Sequence, residues 1–417
     1  MRSRILLLTV LSFMISTNLF GGGFQLNEHG ARALAMGGAF TAVANDPSAV
    51  YWNGAGLSFL KGTHIVFGAS FIAPNSTFRG VTPDVDKYRG KNLIFYPVHF
   101  FASHSLSDKF SVGLGFTTPF GLGTEWDENW IGKNLAVETQ LKTFILTPVV
   151  AYKPIDNLSL SVGFVYSFAD VLITRKNQLP SYLNNEEAFI HLEGDDMFAY
   201  GFNAGLMFKP AKFISVGASY HSEVKYEFEG TATILEAPEQ VINSLPQGNI
   251  TAELTTPQNI AVGIAVDISE RVKVSADYQY VGWSSYDKLE VKFTDPEPDV
   301  VSSSPRMYDD SYIIRLGGAY KFDDQVTFMG GVYFDNNPVS NQFLNPSLPE
   351  SDRIGLSFGI EAHLFENLSF QGSYLFIRGK QLTVTDSEEV YSTPDYRFNG
   401  TYNTYANIFS LSFLYSL

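Results

Sequence analysis

The sequence predicts an all-β protein, a 14-stranded antiparallel transmembrane β-barrel with an N-terminal plug inside the lumen. Three observations predict it. From Gly62 onward, segments of roughly ten to eighteen residues place large apolar side chains on one parity and small or polar ones on the other, as strands with lipid on one face do. The connections between these segments alternate between short and long. The stretch from Gly21 to Leu60 lacks two-residue alternation, so it is not wall and has to be packed somewhere else.

The chain opens with Arg2 and Arg4 before an apolar run, Ile5 to Ile15, and the more polar Ser16-Thr17-Asn18. Residues 1–20 therefore read as an export signal peptide with cleavage near Phe20 or Gly21. An uncleaved anchor is the alternative, and the apolar run is short for a membrane span. Residues 21–60 follow, rich in Gly and Ala, with a short helix expected over Gly30 to Met36 and a turn at Asn45-Asp46-Pro47-Ser48. A flexible linker is the competing reading. Phe24, Leu34, Phe40, Val50, Tyr51 and Trp52 speak against it, since a linker has little use for so many apolar groups.

Residues 61–417 form the barrel. Fourteen segments begin near residues 62, 92, 109, 139, 157, 196, 213, 255, 271, 307, 325, 351, 367 and 401. Phe110, Val112, Leu114 and Phe116 alternate with Ser111, Gly113, Gly115 and Thr117; Leu158 to Ala169 repeats the pattern. Short turns are expected at Ser105 to Asp108, Lys153 to Asn157, Lys209 to Lys212, Ser269-Glu270, Asp323-Asp324 and Phe365 to Asn367. Long polar connections are expected at Pro74 to Lys91, Arg175 to Asp195, Glu229 to Leu254 and Asp386 to Gly400. This rhythm is that of bacterial outer-membrane barrels. A soluble β-sandwich would bury its apolar parity between two sheets, whereas here the aromatic-rich side faces away from small residues.

Composition narrows the function classes. Among 417 residues, Phe at 35 and Tyr at 22 suit aromatic girdles, and no apolar run beyond the leader reaches the length of a spanning helix. The net charge of -15 disfavours nucleic acid and fits acidic loops. Cysteine is absent, which removes disulfides and Cys-based zinc sites. The seven His residues are scattered, with no catalytic spacing. His64, His99, His221 and His363 fall on the small-residue parity, away from lipid. Asp195-Asp196 and Asp309-Asp310 read as solvated loop charges ahead of a calcium site. No enzyme activity, cofactor or metal is implied.

The plug stretch resembles the N-terminal hatch of the FadL/TodX-type outer-membrane transporters of hydrophobic substrates. Gly23-Phe24-Gln25-Leu26-Asn27-Glu28, Ala35-Met36-Gly37-Gly38-Ala39 and Asn45-Asp46-Pro47-Ser48-Ala49 carry the likeness. Pro119-Phe120-Gly121-Leu122, Trp126, Trp130, Trp283 to Leu289, Tyr312 to Tyr320 and Asp352-Arg353 extend it. Where the family has Asn-Pro-Ala, this chain has Asn53-Gly54-Ala55, exchanging a fixed backbone for a free one in a turn that the family packs against a kinked barrel strand. The alternating C-terminus, Phe409 to Leu417, resembles the signal read by the outer-membrane assembly machinery. The resemblance implies a monomer in the outer-membrane lipid that takes up long-chain fatty acids or similar hydrophobic compounds passively. Ligand would be captured at an outer groove, held beside the plug, and released sideways into the membrane. Uptake of alkanes or monoaromatics, and a structural or adhesive barrel without ligand, are the alternatives.

Candidate site residues follow. Trp126 and Trp130, with Phe120 and Leu122, form either an exposed capture groove or part of the interfacial aromatic belt. Phe24 and Leu26 would meet ligand beside the plug. Asn53, Gly54 and Ala55 would set the plug's stiffness. A kink is expected in the third strand, where Gly113 and Gly115 weaken the ladder and Pro119 lacks a donor. Arg315, Arg353, Lys142 and Lys273 are lumenal-parity cations for a carboxylate headgroup, or partners of lumenal acids such as Asp277 and Glu361.

Overall fold

A computed structural model describes residues 22–81, 85–179, 186–294, 300–390 and 397–417. The expected leader lies outside the described residues. Fourteen strands close into one antiparallel barrel. In order they are Thr63–Gly80, Val98–Ser105, Phe110–Thr117 continued by Gly121–Glu125, Glu138–Ile155, Leu158–Gln178, Glu187–Ala211 and Ile214–His221 continued by Val224–Glu236. The eighth is Gly248–Thr256 with Asn259–Asp267, the ninth Val272–Val281 with Lys288–Phe293, and the tenth Val300–Pro305 with Ser311–Lys321. Val326–Asp335, Arg353–Phe365, Leu368–Gly379 and Gly400–Ser416 complete the ring. The seam between first and last strand runs unbroken from His64↔Ser416 to Gly80↔Gly400.

The alternation works as expected in the lipid-facing band. Phe67, Phe71, Val162, Phe164, Tyr200, Leu356, Phe358 and Phe409 stand on the outside, while Ser70, Ser159, Ser275, Ser357 and Ser412 face inward. The strand lengths differ from expectation. The sixth, eighth and tenth strands begin at Glu187, Gly248 and Val300, earlier than their lipid-band pattern starts. Much of Arg175 to Asp195 and Glu229 to Leu254 is therefore wall, and Asp195 and Asp196 lie on the sixth strand rather than in a loop. The physical reason is an inversion of parity. Above the lipid, Leu192, Ala232, Ile250, Val291 and Phe293 pack inward, and Glu193, Asp195, Glu227, Glu229 and Glu253 face water.

Residues 22–60 lie inside the ring, with helices Ala31–Ala35 and Ala49–Trp52 and a 3-10 turn Gly54–Phe59. The expected turn is present, with Asp46 Oδ1 accepting from Ser48 N at 2.8 Å. So compact a segment leaves many backbone groups without helical partners, and buried polar groups need partners. The small polar parity of the wall supplies them. Ser70, Ser275 and Ser357 donate their hydroxyls to the carbonyls of Glu28, Ala39 and Ala35 at 2.9, 2.7 and 2.9 Å. Ser412 Oγ accepts from Ala31 N at 3.1 Å and Asp277 Oδ2 from Thr41 N at 2.8 Å. Arg32 pairs with Glu361 at 2.5 Å. Inward serines on four different strands, with Asp277 and Glu361, thus hold the plug around its girth.

Candidate transport site

The third strand is broken where Pro119 denies the ladder a donor. Below the break its pairing is continuous, Ser111 to Phe116 against Phe100 to Ser105 on one side and Phe110 to Thr117 against Ile145 to Tyr152 on the other. Above it, Gly121–Glu125 pairs with the fourth strand alone among the described residues. The chain approaching the second strand stands off, with Phe95 bridged to Ile72 of the first strand instead. Lys91 N donates to Glu125 O at 2.7 Å and closes the top. The result is a window in the wall between residues 92–97 and 118–124. A cavity of about 2300 Å³, its mouths included, lies behind it, and outward-facing Phe144 contributes to its lining.

The kink is thus where Pro119 placed it, and the two glycines play a different part. Gly113 and Gly115 sit in unbroken ladder. A Cβ on either would come within 2.6 and 2.7 Å of Val50, so they admit the plug's second helix against the wall. A similar correction applies to Asn53-Gly54-Ala55. Asn53 Nδ2 donates to Thr41 O and Leu206 O at 2.8 and 3.0 Å, and its Oδ1 accepts from Ala55 N at 3.2 Å. A Cβ on Gly54 would meet Val149 and Ser161 at 2.8 and 2.9 Å. This turn packs on the fourth, fifth and sixth strands, away from the kink.

The plug's first residues meet the kink directly. Leu26 N donates to Pro119 O at 2.8 Å, Gly121 N donates to Phe24 O at 3.0 Å, and Thr143 Oγ1 accepts from Phe120 N at 3.1 Å. Phe24, only 4% exposed, sits edge-on in an aromatic cage of Trp283, Tyr286 and Phe120, with ring centroids 4.7, 5.6 and 6.1 Å away. Its ring also lines a second cavity on the loop side, about 1390 Å³ with its open mouth included, which shares Leu122, Leu141 and Leu348 with the window cavity. Phe24 is the partition between them. The sequence reading placed Phe120 and Leu122 with the tryptophans in an outer groove; instead they are brought together with Phe24 and Leu26.

The tryptophans are not. Trp126 and Trp130 stack at 4.3 Å, are buried, and pack with Phe78, Tyr88, Phe398 and Tyr402. Their indoles donate to Pro346 O and Ala136 O at 3.0 and 2.7 Å. They are the core of the loop cap and line none of the three main cavities, which corrects the expectation of an exposed patch.

The cations divide. Arg315 lies under the plug, donating to Gln279 Oε1 at 2.6 Å with Trp52 5.9 Å away. Arg353 borders the window cavity but is held by Asp335 at 2.9 Å and Glu350 at 3.6 Å. Lys273 pairs with Asp267 at 2.7 Å. Lys142 is exposed on the outer parity, a correction to its assignment as lumenal. Two arginines that the sequence did not single out, Arg175 and Arg306, line the loop-side cavity among Leu135, Val171, Ile173, Phe228 and Leu254. Arg175 Nε and Arg306 Nε and Nη1 have no hydrogen-bond partner, and Arg306 stands 3.7 Å from the Glu389 carboxylate. The signal for Arg175 was its parity, two residues after Ile173 on an inward-facing row. Between plug and wall, burial pushes the Glu28 carboxyl up to about 7 and the Glu350 carboxyl likewise to about 7.

A family model described as outer membrane protein transport protein (OMPP1/FadL/TodX) matches residues 12–417. A long-chain fatty acid transport protein of Salmonella typhi is 26% identical over 411 residues, covering 91% of this chain and 92% of its own. Outer membrane protein P1 of Haemophilus influenzae is 25% identical over 445 residues, covering 94% and 95%. Among solved structures, a Pseudomonas aeruginosa FadL homologue superposes with a TM-score of 0.86 at 22% identity, covering 95% of this chain and all of that one. The Pseudomonas putida toluene transporter TodX gives 0.74 at 17% identity, covering 96% and 99%.

Proposed function

Because the chain belongs to the outer membrane protein transport protein family (OMPP1/FadL/TodX), we propose that it carries long-chain fatty acids or similar hydrophobic compounds through the outer membrane without an energy source. The observation that carries this reading is the pair Arg175 and Arg306 at the edge of a largely apolar cavity that Glu193, Glu253 and Glu389 also border, one aromatic ring away from a window in the wall.

Each part has a physical role. The apolar lining removes an alkyl chain from water, worth about 0.8 kcal/mol per buried methylene. A carboxylate entering with it would meet guanidinium donors that lack hydrogen-bond partners, and such charge-assisted bonds are the strong ones. Displacing Phe24 joins this cavity to the one behind the window. Leaving sideways into lipid costs an apolar molecule little, whereas an aqueous pore offers it nothing. Phe24, Leu26, Phe120 and Leu122 are the residues such a ligand would slide past, and the Pro119 kink is its exit.

The second reading is uptake of uncharged hydrocarbons, the class to which the cargo of the Pseudomonas putida toluene transporter TodX belongs. It is favoured by the number of apolar groups around each cavity. The two separate in one binding experiment on detergent-purified protein, with a long-chain fatty acid as ligand and toluene and a short alkane as competitors. Saturable fatty-acid binding, weakened when Arg175 and Arg306 are both changed to Met, supports the fatty-acid reading. Binding of hydrocarbons alone moves the substrate to that class. Binding of neither leaves a structural barrel.

A further inference from the structure

The wall has a second irregularity, four strands along from the Pro119 kink. The sixth and seventh strands pair from Ala211↔Ile214 to Asn203↔His221, and again from Asp195↔Glu229 onward. Between these points, residues 196–202 and 222–228 form no ladder pair, although both strands continue. The sixth strand is also bulged against the fifth here, with Ser167↔Ala199 followed by Ala169↔Asp196. What spans the gap is side-chain bonding, from Phe202 N to Ser222 Oγ at 2.9 Å and from Glu227 N to Asp196 Oδ2 at 2.8 Å, beside the single backbone bond from Ser222 N to Phe202 O.

The two faces of this seam differ. Outside stand Phe198, Tyr200 and Phe202, which are 66%, 66% and 51% exposed and belong to the lipid-facing band. Inside is a third, smaller cavity, lined by Val165, Val224, Ser222 and Tyr51 and also by Phe202 itself. A residue of the outer surface thus lines an inner chamber, so the wall is one side chain thick. Tyr226 closes the seam from within. It is fully buried, and its hydroxyl bonds Ser167 Oγ of the fifth strand at 2.6 Å, passing beneath the sixth. Unpaired strand backbone facing lipid is costly, and a wall that retains it beside a cavity, under a single-bond latch, has the makings of a door.

We infer that the seam between the sixth and seventh strands is a second lateral opening, which admits small uncharged apolar molecules between the outer leaflet and the chamber beside Tyr51. The seam lies four strands along the wall from the window at Pro119, although Pro119 and Phe120 also line the chamber, and it does not depend on the identity of the substrate carried at the window. Entry requires Tyr226 to leave Ser167 and Phe202 to turn aside. The lining mixes apolar groups with Asn, Gln, Ser, Thr and His side chains and contains no arginine or lysine, which selects against carboxylates.

The native chain has no cysteine, so the seam can be stapled cleanly. A Cβ on Gly201 would lie 2.6 Å from Ser222 Oγ, close enough for G201C with S222C to form a disulfide. The protein is reconstituted in liposomes containing an alkyl diazirine, illuminated, and its adducts are mapped by mass spectrometry. With the staple reduced, adducts at Val165 and Val224 are expected; with it oxidised they fall to the dark control, while adducts at Leu26 and Phe95, which line the window cavity and not this chamber, stay unchanged. Tyr226→Phe, which removes only the latch hydroxyl, is expected to raise the Val165 and Val224 adducts about threefold to tenfold, as loss of one hydrogen bond allows. Equal adducts at Val165 and Val224 in oxidised and reduced protein, or their absence in both, overturn the inference. Failure of the fatty-acid reading would leave this result untouched.

Discussion

Glu28 and Glu350 flank the point where the plug enters its socket, each with one carboxylate oxygen that lacks a hydrogen-bond partner. Burial raises both to about 7, so in the folded protein they hold a proton that the unfolded chain releases near 4.5. The sign follows: seating of the plug is most favourable below about pH 4.5 and weakens as pH rises to about 7, then levels off. Hydrogen exchange at Phe24 and Leu26 is therefore expected to quicken between pH 5 and pH 7 beyond the intrinsic rate, about tenfold per 1.4 kcal/mol lost. Glu28→Gln should flatten that dependence, and an unchanged profile in the variant would reject Glu28 as the titrating group. At the same scale, R175M with R306M should weaken fatty-acid binding roughly tenfold to hundredfold, about 1.5–3 kcal/mol for bonds to a charge, and leave toluene within twofold. Little of this was legible beforehand. Sequence parity identifies which cations face inward but not which acids already hold them, so Arg353 looked free until Asp335 and Glu350 appeared beside it. Arg175 was hidden by being assigned to a loop.

Among the elements, the plug is the one whose sequence departs most clearly from its family's pattern. Asn53 bonds three backbone groups, so the turn is fixed by a side chain rather than by a proline ring. Gly54 is small because Val149 and Ser161 leave no room. Restoring the family's residue with Gly54→Pro is expected to destabilise the seated plug by about 1–3 kcal/mol through overpacking, despite a backbone position that accepts proline at the start of a helical turn. Protease sensitivity of residues 22–60 measures this, and a plug as resistant as the native one would mean that the wall yields. The third strand teaches a related lesson. Pro119 was readable as a break because a missing donor acts locally. Gly113 and Gly115 were misread as weak ladder because their reason, the approach of Val50, lies about sixty residues away in sequence and across the lumen.

For the molecule as a whole, the fold was the most legible level. A two-residue period repeated fourteen times leaves few architectures, and the small polar parity that suggested a lumen turns out to be the plug's set of hydrogen-bond partners. What the pattern concealed was height. Above the lipid the alternation persists with its sense reversed, and a search for outward apolar groups stops there. This upper wall encloses the loop-side cavity, which is why the candidate ligand site lay outside the segments first identified as strand. The proposed route from that cavity to the window passes through the pairing of Gln25 with Phe120. The two residues face each other as a non-hydrogen-bonded antiparallel pair, flanked by the bonds Leu26 N to Pro119 O and Gly121 N to Phe24 O, so their Cα atoms should be about 4.5 Å apart and within disulfide range. The decisive measurement is uptake of a long-chain fatty acid by cells carrying Gln25→Cys with Phe120→Cys, oxidised and then reduced. Locking the plug to the kink should abolish uptake while leaving binding at the loop-side cavity, and reduction should restore transport. Undiminished uptake with the disulfide closed would contradict a path through Phe24 and the Pro119 window.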